Sequence, residues 1–171
     1  MNTLKAEKRS MDVKAKKLRR EGYVTGNLFG REIEGSIPLK FTKKEIEVLL
    51  KNNNKGSQVM LELDGKTYDA LIKEVDYNPL AHTVEEVDFQ ALVSNEMVHS
   101  VAEIILENEE MVVSGVLQDE LKEVAYKALP ADLVDKIKVD VAGMKIGDTL
   151  RVKDLEIAKN KNIHITTDLE S

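Results

Sequence analysis

The sequence lacks cysteine altogether. This absence excludes disulfide bonds, thiolate nucleophiles and cysteine-ligated zinc or iron–sulfur sites, and it fits a reducing compartment. No apolar run approaches the roughly 20 residues that a membrane-spanning helix requires. The N-terminal residues show no apolar segment followed by a cleavage site. We therefore expect a cytoplasmic protein that makes no contact with a membrane.

The sequence also offers little that could support catalysis. His82, His99 and His164 are far apart, and none has a second ligand at metal-binding spacing. The glycines between residues 22 and 30 have large neighbours and no apolar helix after them, which indicates turns rather than a phosphate-binding loop. We expect no enzyme activity, no cofactor, no metal site and no small-molecule substrate.

What is present is a globular composition with unevenly distributed charge. The 171 residues, 42% of them hydrophobic, are enough for one large or two small domains with a buried core. The net charge is -6, yet the first forty residues hold ten Lys and Arg against five Asp and Glu. The rest of the chain is therefore strongly acidic.

The positive charge is concentrated around the stretch KAKKLRREGYVTGNLFG, residues 14–30. The first twenty residues carry a net charge of +6, which is enough to neutralise several phosphates of a nucleic acid. A solvated, frayed N-terminal arm would explain the same charge. In that case the arm would become ordered only on binding RNA.

In the first half of the chain, hydrophobic residues alternate with polar ones, and this period of two predicts half-buried antiparallel strands. One strand is predicted from REIEGSIPLKF, with Ile33 on the same side as Ile37 and Leu39. Two more are predicted from residues 57–75, joined by a hairpin turn at 64–65. Between them, TKKEIEVLLKNNNKG predicts a helix that begins at the capping residue Thr42 and closes one end of a small barrel.

The second half is acidic and continues with strand-like runs, among them VAEIIL, MVVSGVL, LKEVAYKAL, DKIKVDVAG and DTLRVKDL. A single helical turn is predicted in LPADLVDKI and a Gly-Asp turn in GMKIGDTL. The sequence predicts a mostly β protein with minor α content, with a barrel domain over residues 1–93 and an antiparallel β-rich domain over 97–171. It identifies no partner for the second domain.

Four stretches in order carry a resemblance to a known family: AEKR, KKLRREGYVTGNLFG, IKEVDYNPLAHTVEEVDF and LPADLVDKIKVDVAGMKIGDTLRVKDL. Their order and separations resemble those of the bacterial large-subunit ribosomal protein L25 family in its long form, called general stress protein CTC. The resemblance implies a six-stranded N-terminal barrel that binds the loop E region of 5S ribosomal RNA. It also implies that the large ribosomal subunit is the partner.

The resemblance also implies which residues would contact RNA. Basic side chains of the first strand and the following loop, an aromatic residue, and an acidic residue before a phenylalanine correspond here to Arg9, Lys16, Lys17, Arg19, Phe29 and Asp88. The charge of the basic stretch adds Lys14 and Arg20 to the expected RNA contacts. Core packing explains Phe29 equally well, and it explains Phe89 better.

The chain departs from the family pattern at several of these positions. Thr25 replaces a proline, Asn27 an apolar residue, and Phe29 a tyrosine. Glu86 replaces a histidine, and a carboxylate there would repel phosphates. These changes support an alternative function, that of a diverged general-stress paralogue with a weakened RNA site that acts through protein contacts.

Overall fold

The computed structural model describes residues 2–108, 121–144, 148–169 and 171. The chain divides into two compact units, Met1–Ser94 and Asn95–Ser171. Strands dominate both units, which confirms the mostly β fold class. In the described part of the chain, no helix is long and apolar enough to span a membrane.

The first unit is a closed barrel. Over residues 2–94, all of which are described, the elements are β1 (Asn2–Lys8), α1 (Ala15–Arg20), β2 (Tyr23–Phe29), β3 (Ser36–Thr42), α2 (Lys43–Leu50), β4 (Gln58–Leu63), β5 (Lys66–Asn78) and β6 (Thr83–Ala91). The strand order is β1-β3-β2-β6-β5-β4, with β4 returning to β1. The pairs β1–β4 and β2–β6 are parallel, and the other neighbours are antiparallel. The predicted six-stranded barrel is confirmed.

Alternate residues of each strand fill the barrel. In β4, Val59, Leu61 and Leu63 are buried while the residues between them are half-buried. Phe41 and Phe89 meet inside the barrel with their ring centroids 5.5 Å apart. The hydrophobic alternation in the sequence therefore arises because one face of each strand lies against a shared apolar core.

The helix α2 packs its apolar side into this core. Thr42 caps it, because the Thr42 hydroxyl accepts a hydrogen bond from the Glu45 N–H at 3.3 Å. Ile46 and Leu49 are buried and belong to the barrel core, whereas Val48 is exposed. The capped helix predicted from the sequence is confirmed.

Two turns set the strand boundaries. Asp64 and Gly65 join β4 to β5 with positive φ angles of 50° and 78°, as a tight two-residue hairpin requires. The strand predicted to include Ile33 begins only at Ser36, so that part of the prediction was wrong. Gly35, with φ of 66°, turns the chain just before the strand. Ile33 lies in the preceding loop and still packs against the core.

The strands β2 and β6 approach each other unusually closely at Gly26. A Cβ atom added to Gly26 would lie 1.9 Å from the Val87 carbonyl oxygen and 3.1 Å from the Phe41 ring. Backbone cannot yield to such a contact without opening the barrel. Only glycine fits here.

We predict that Gly26→Ala destabilises the protein by about 3 kcal/mol or more, because overpacking against backbone has no cheap relaxation. Urea unfolding monitored by circular dichroism would measure the change. Gly143→Ala is the control, since nothing lies within 4 Å of an added Cβ there. Equal stability of the wild type and Gly26→Ala would show that the two strands can separate at little cost.

The second unit contains a four-stranded sheet among its described residues. Its strands are β7 (Val98–Glu107), β8 (Glu123–Ala128), β9 (Lys136–Asp140) and β10 (His164–Ile165), in the order β10-β8-β7-β9. Tyr126 is fully buried on β8. Its hydroxyl donates to the Val134 carbonyl and accepts from the Val134 N–H, both at 2.7 Å, and so fixes the connection before β9.

The structure corrects two predictions for this unit. The sheet is mixed rather than antiparallel, because β9 pairs in parallel with β7. The chain leaves β8 through the predicted helical turn, a 3-10 turn at Pro130–Asp132, and returns on the far side of β7. The run DTLRVKDL forms no strand where it is described and instead enters a 3-10 turn at Val152–Asp154. The run MVVSGVL and the Gly-Asp turn at 147–148 lie wholly or partly outside the described residues.

Candidate nucleic-acid interface

The basic stretch predicted to bind RNA contains a short helix. Lys14 precedes α1 as its N-cap, and α1 packs on β2 through its one buried residue, Leu18. Lys16, Lys17 and Arg20 are exposed. Residues three and four apart share a helix face, so these three cations point away from the buried Leu18. Together they form one positively charged surface on the outer side of α1.

Arg19 faces the barrel instead of the solvent. Its Nε donates to the Glu85 carbonyl oxygen at 3.2 Å, and its Nη2 donates to the Thr25 hydroxyl at 3.2 Å. The Thr25 hydroxyl donates in turn to the same Glu85 carbonyl at 3.4 Å, and Thr25 is completely buried. Arg19 therefore fastens α1 to both β2 and β6.

Arg9 lies at the end of β1 and is half-buried. Its backbone N–H donates to the Pro38 carbonyl at 2.9 Å, and its Nη2 donates to the Val13 carbonyl at 3.4 Å. The buried Nε atom has no hydrogen-bond partner within the described chain. The guanidinium group braces the loop that leads into α1.

Phe29 and Phe89 lie on opposite faces of the barrel wall. Phe89 is completely buried in the barrel, so its role is core packing. Phe29 ends β2 half-exposed, beside the fully buried Leu28, and is paired with Gln90 of β6. The alternation of β2 thus turns Phe29 to the outer surface, where its ring is available for stacking.

Asp88 shares this outer surface and holds β2 in place. Its Oδ1 accepts from the Asn27 backbone N–H at 3.1 Å and from the Asn27 side-chain amide at 3.4 Å. Burial raises the pKa of the Asp88 carboxyl, the two hydrogen bonds from Asn27 lower it, and the carboxylates of Asp76 and Glu74 raise it further. Asp88 thereby positions Asn27, which the sequence pattern marked only as a departure from the family.

Glu86 lies between groups of opposite charge. Burial raises its pKa above the ordinary glutamate value, and the carboxylates of Asp88 and Asp76 act in the same direction. Arg19 and Arg9 oppose the rise. The two arginines therefore offset part of the rise in the Glu86 pKa, because opposite charges favour the ionised form.

The sequence did not reveal the acidic side chains of β5 as part of this surface. Asp76 pairs with Glu86 across the β5–β6 ladder, and Glu74 pairs with Asp88. The period of two that turns Ile72 inward would have placed Glu74 and Asp76 on the inner face as well. A register shift between Ile72 and Glu74 reverses the alternation and turns both carboxylates outward. Among the described residues, no group of three or more His, Asp or Glu side chains could hold a metal ion.

Comparison with known proteins gives a family match for each of the two units. Residues 4–89 match the model of the Ribosomal L25p family, and residues 97–171 match the model described as ribosomal protein TL5, C-terminal domain. The chain belongs to the ribosomal L25p family. This is a family of ribosomal proteins rather than enzymes.

Curated relatives of this L25p family member carry the name large ribosomal subunit protein bL25. The protein of Carboxydothermus hydrogenoformans is 34% identical over 88% of this chain and 80% of its own length. That of Akkermansia muciniphila is 31% identical over 98% of this chain and 83% of its own length. The similarity therefore extends over both units.

For this L25p family member, we predict that Arg19→Ala lowers the free energy of unfolding by about 1–2 kcal/mol, because it removes two charge-assisted hydrogen bonds from a half-buried site. Urea unfolding would measure the loss. Lys16→Ala, which removes an exposed cation of the same helix, should change stability by less than about 0.5 kcal/mol. If both variants lose equally little, Arg19 does not fasten α1 to the barrel.

Proposed function

We propose that the protein binds 5S ribosomal RNA as a non-catalytic component of the large ribosomal subunit. The names of the relatives support the subunit, and the matching stretches of the first unit support 5S RNA as the target. Such a role belongs to the cytoplasm, where bacterial ribosomes work.

The observation that carries the proposal is the orientation of α1. Arg19 ties the helix to β2 and β6, and this attachment turns Lys16, Lys17 and Arg20 to the solvent. A helix held in this way presents its cations without first losing the conformational entropy of a free arm. Lys14, exposed at the start of α1, extends the same surface.

The outer surface of β2 and β6 supplies contacts of a different kind. Phe29 lies four residues beyond Thr25, roughly 13 Å along the strand at about 3.3 Å per residue. The surface thus offers phosphate contacts at α1 and a stacking ring at the end of β2. Double-stranded RNA is recognised mostly by shape, across its shallow minor groove, and a rigid surface with separate phosphate and sugar contacts suits this mode of recognition.

The proposal gives different roles to the basic residues. Lys14, Lys16, Lys17 and Arg20 would contact phosphates directly, since all four are exposed. Arg9 and Arg19 are already bonded to the protein, so they would position the surface and add their charge to it. Asp88 would act by holding Asn27 at the RNA-facing surface.

We predict that the triple variant Lys16→Ala, Lys17→Ala, Arg20→Ala binds a 5S RNA fragment containing loop E far more weakly than the wild type. The slope of log K against log salt should flatten by about two to three units, because each phosphate contact contributes a slope of about 0.7–0.9. Fluorescence anisotropy at several salt concentrations would measure both quantities.

The matched control is the triple variant Lys43→Ala, Lys44→Ala, Lys51→Ala on and beside α2. It removes the same charge from three exposed positions, and it should keep nearly the wild-type slope. If both triple variants flatten the slope equally, binding depends on net charge alone and α1 is not the RNA surface.

We also predict that RNA affinity rises as the pH is lowered from neutral towards the raised pKa of the Glu86 carboxyl. RNA phosphates must raise the already elevated pKa of Glu86 further, so binding takes up a proton and is favoured at lower pH. Glu86→Gln should raise affinity at neutral pH by about two- to fivefold, since a half-exposed charge pair contributes about 0.3–1 kcal/mol.

Titrations at matched ionic strength would follow this effect. Glu86→Gln should lose much of the pH dependence, and Asp88, whose pKa is also raised, contributes to any remainder. If Glu86→Gln keeps the full pH dependence of the wild type, Glu86 does not face the RNA.

The outer surface favours a second candidate function. Four carboxylates lie beside the expected RNA contacts, those of Glu74, Asp76, Glu86 and Asp88. Such an acidic surface is what we expect of a diverged paralogue that acts through protein contacts. Sedimentation separates the two functions. Recovery with large subunits after a moderate-salt wash supports the ribosomal function, whereas recovery only in the free protein fraction supports the second.

A further inference from the structure

The hairpin of β5 and β6 extends beyond the barrel wall. The strand β4 pairs with β5 only over Lys66–Leu71, and β2 pairs with β6 only from Glu86 onward. Nearer the tip, Tyr77 pairs with Val84 and Asn78 with Thr83, within the hairpin itself. In the described structure, no third strand pairs with this end of the hairpin. Val84 still packs against the barrel core, so the part of the hairpin that projects is the turn beyond the Tyr77–Val84 pair.

The conformation of the tip is fixed by its own hydrogen bonds. The Asn78 Oδ1 accepts from the Leu80 N–H at 3.0 Å and from the Ala81 N–H at 3.2 Å. The Asn78 side-chain amide donates to the Glu85 carboxylate at 3.0 Å. His82 adopts a positive φ of 55° to close the turn. A turn built in this way loses little conformational entropy on binding.

This rigid tip presents apolar side chains to solvent. Leu80 is 93% exposed and Tyr77 is 54% exposed, and Pro79 and Ala81 beside them are exposed as well. A single exposed leucine on a surface is ordinary. Four neighbouring apolar residues held at the end of a projecting hairpin form the kind of anchor that fills a pocket on a partner.

The charge of the hairpin decides between RNA and protein as its partner. From Glu74 to Ala91 the sequence holds five carboxylates and no Lys or Arg. The carboxylates nearest the tip, Asp76 and Glu85, would repel phosphates there, since like charges are destabilising at close range. A protein surface with Lys and Arg around an apolar pocket is complementary to it.

We propose that the tip, Tyr77–Thr83, docks into an apolar pocket edged by Lys and Arg on a neighbouring protein of the large subunit. The inference rests on the proposed function, because it adds a protein contact to the RNA contact made by α1. Leu80 fills the pocket, Tyr77 covers its rim, and the carboxylates of Asp76 and Glu85 lie opposite the basic residues of the partner.

A photo-crosslinking experiment identifies what the tip touches. The full-length protein with benzoylphenylalanine in place of Leu80 is bound to large subunits from cells that lack this protein, and then irradiated. Docking on a protein gives a crosslink that protease removes and ribonuclease leaves intact. A crosslink to ribosomal RNA, or none in particles that contain the protein, overturns the inference.

Affinity measurements give an independent test. Leu80→Ser should weaken binding to the same subunits by about tenfold, because partial burial of one leucine side chain strengthens binding by about that factor. Its affinity for the isolated 5S RNA fragment should be unchanged. Val48→Ser is the matched control, since Val48 is 58% exposed on α2 and is not part of the hairpin, and it should alter neither affinity.

The outcomes separate this inference from the function on which it rests. If the wild type binds both probes and Leu80→Ser binds subunits as well as the wild type does, only the docking site is overturned. If Leu80→Ser loses affinity for the RNA fragment too, the tip contacts RNA, which also overturns it. If the wild type binds neither probe, the proposed function fails and the docking site with it.

Discussion

The parallel contact between β2 and β6 is the constraint on which the rest of the first unit depends. It joins residues about 60 positions apart in the chain, and it is close enough that only glycine fits at position 26. Two side chains reinforce it from the outer side: Arg19 of α1 bonds to both strands, and Asp88 of β6 bonds to β2. Since α1 precedes β2 directly, this contact also fixes where the basic surface lies.

The same contact brings opposite charges together. The cations of the N-terminal stretch lie beside the carboxylates of the β5–β6 hairpin. Arg9 and Arg19 therefore lower the pKa of Glu86, against the rise that burial causes. A surface of this kind repels phosphates at one place and attracts them at another. We infer that it has two sides, an RNA side at α1 and a protein side at the hairpin tip, which would share Glu86 as their border.

Much of the fold was predictable because its causes are local. The Asp64–Gly65 turn and the Thr42 cap depend on a few neighbouring residues, and the strands of the barrel follow from alternation along one segment. The errors arose where distant contacts decide. The alternation of hydrophobic residues cannot show that β9 returns beside β7 rather than beside β8. Nor does it reveal the turn at Gly35, which makes β3 begin later than predicted.

The sequence by itself determined how much positive charge the N-terminal stretch carries, which residues alternate into the core, and the family to which the motifs belong. Only the tertiary structure decided what each charged side chain does. Lys16 and Arg19 lie three residues apart in one basic run, yet one faces solvent and the other binds β6. Their difference depends on the strand packed against the helix, and that strand comes from a distant part of the chain.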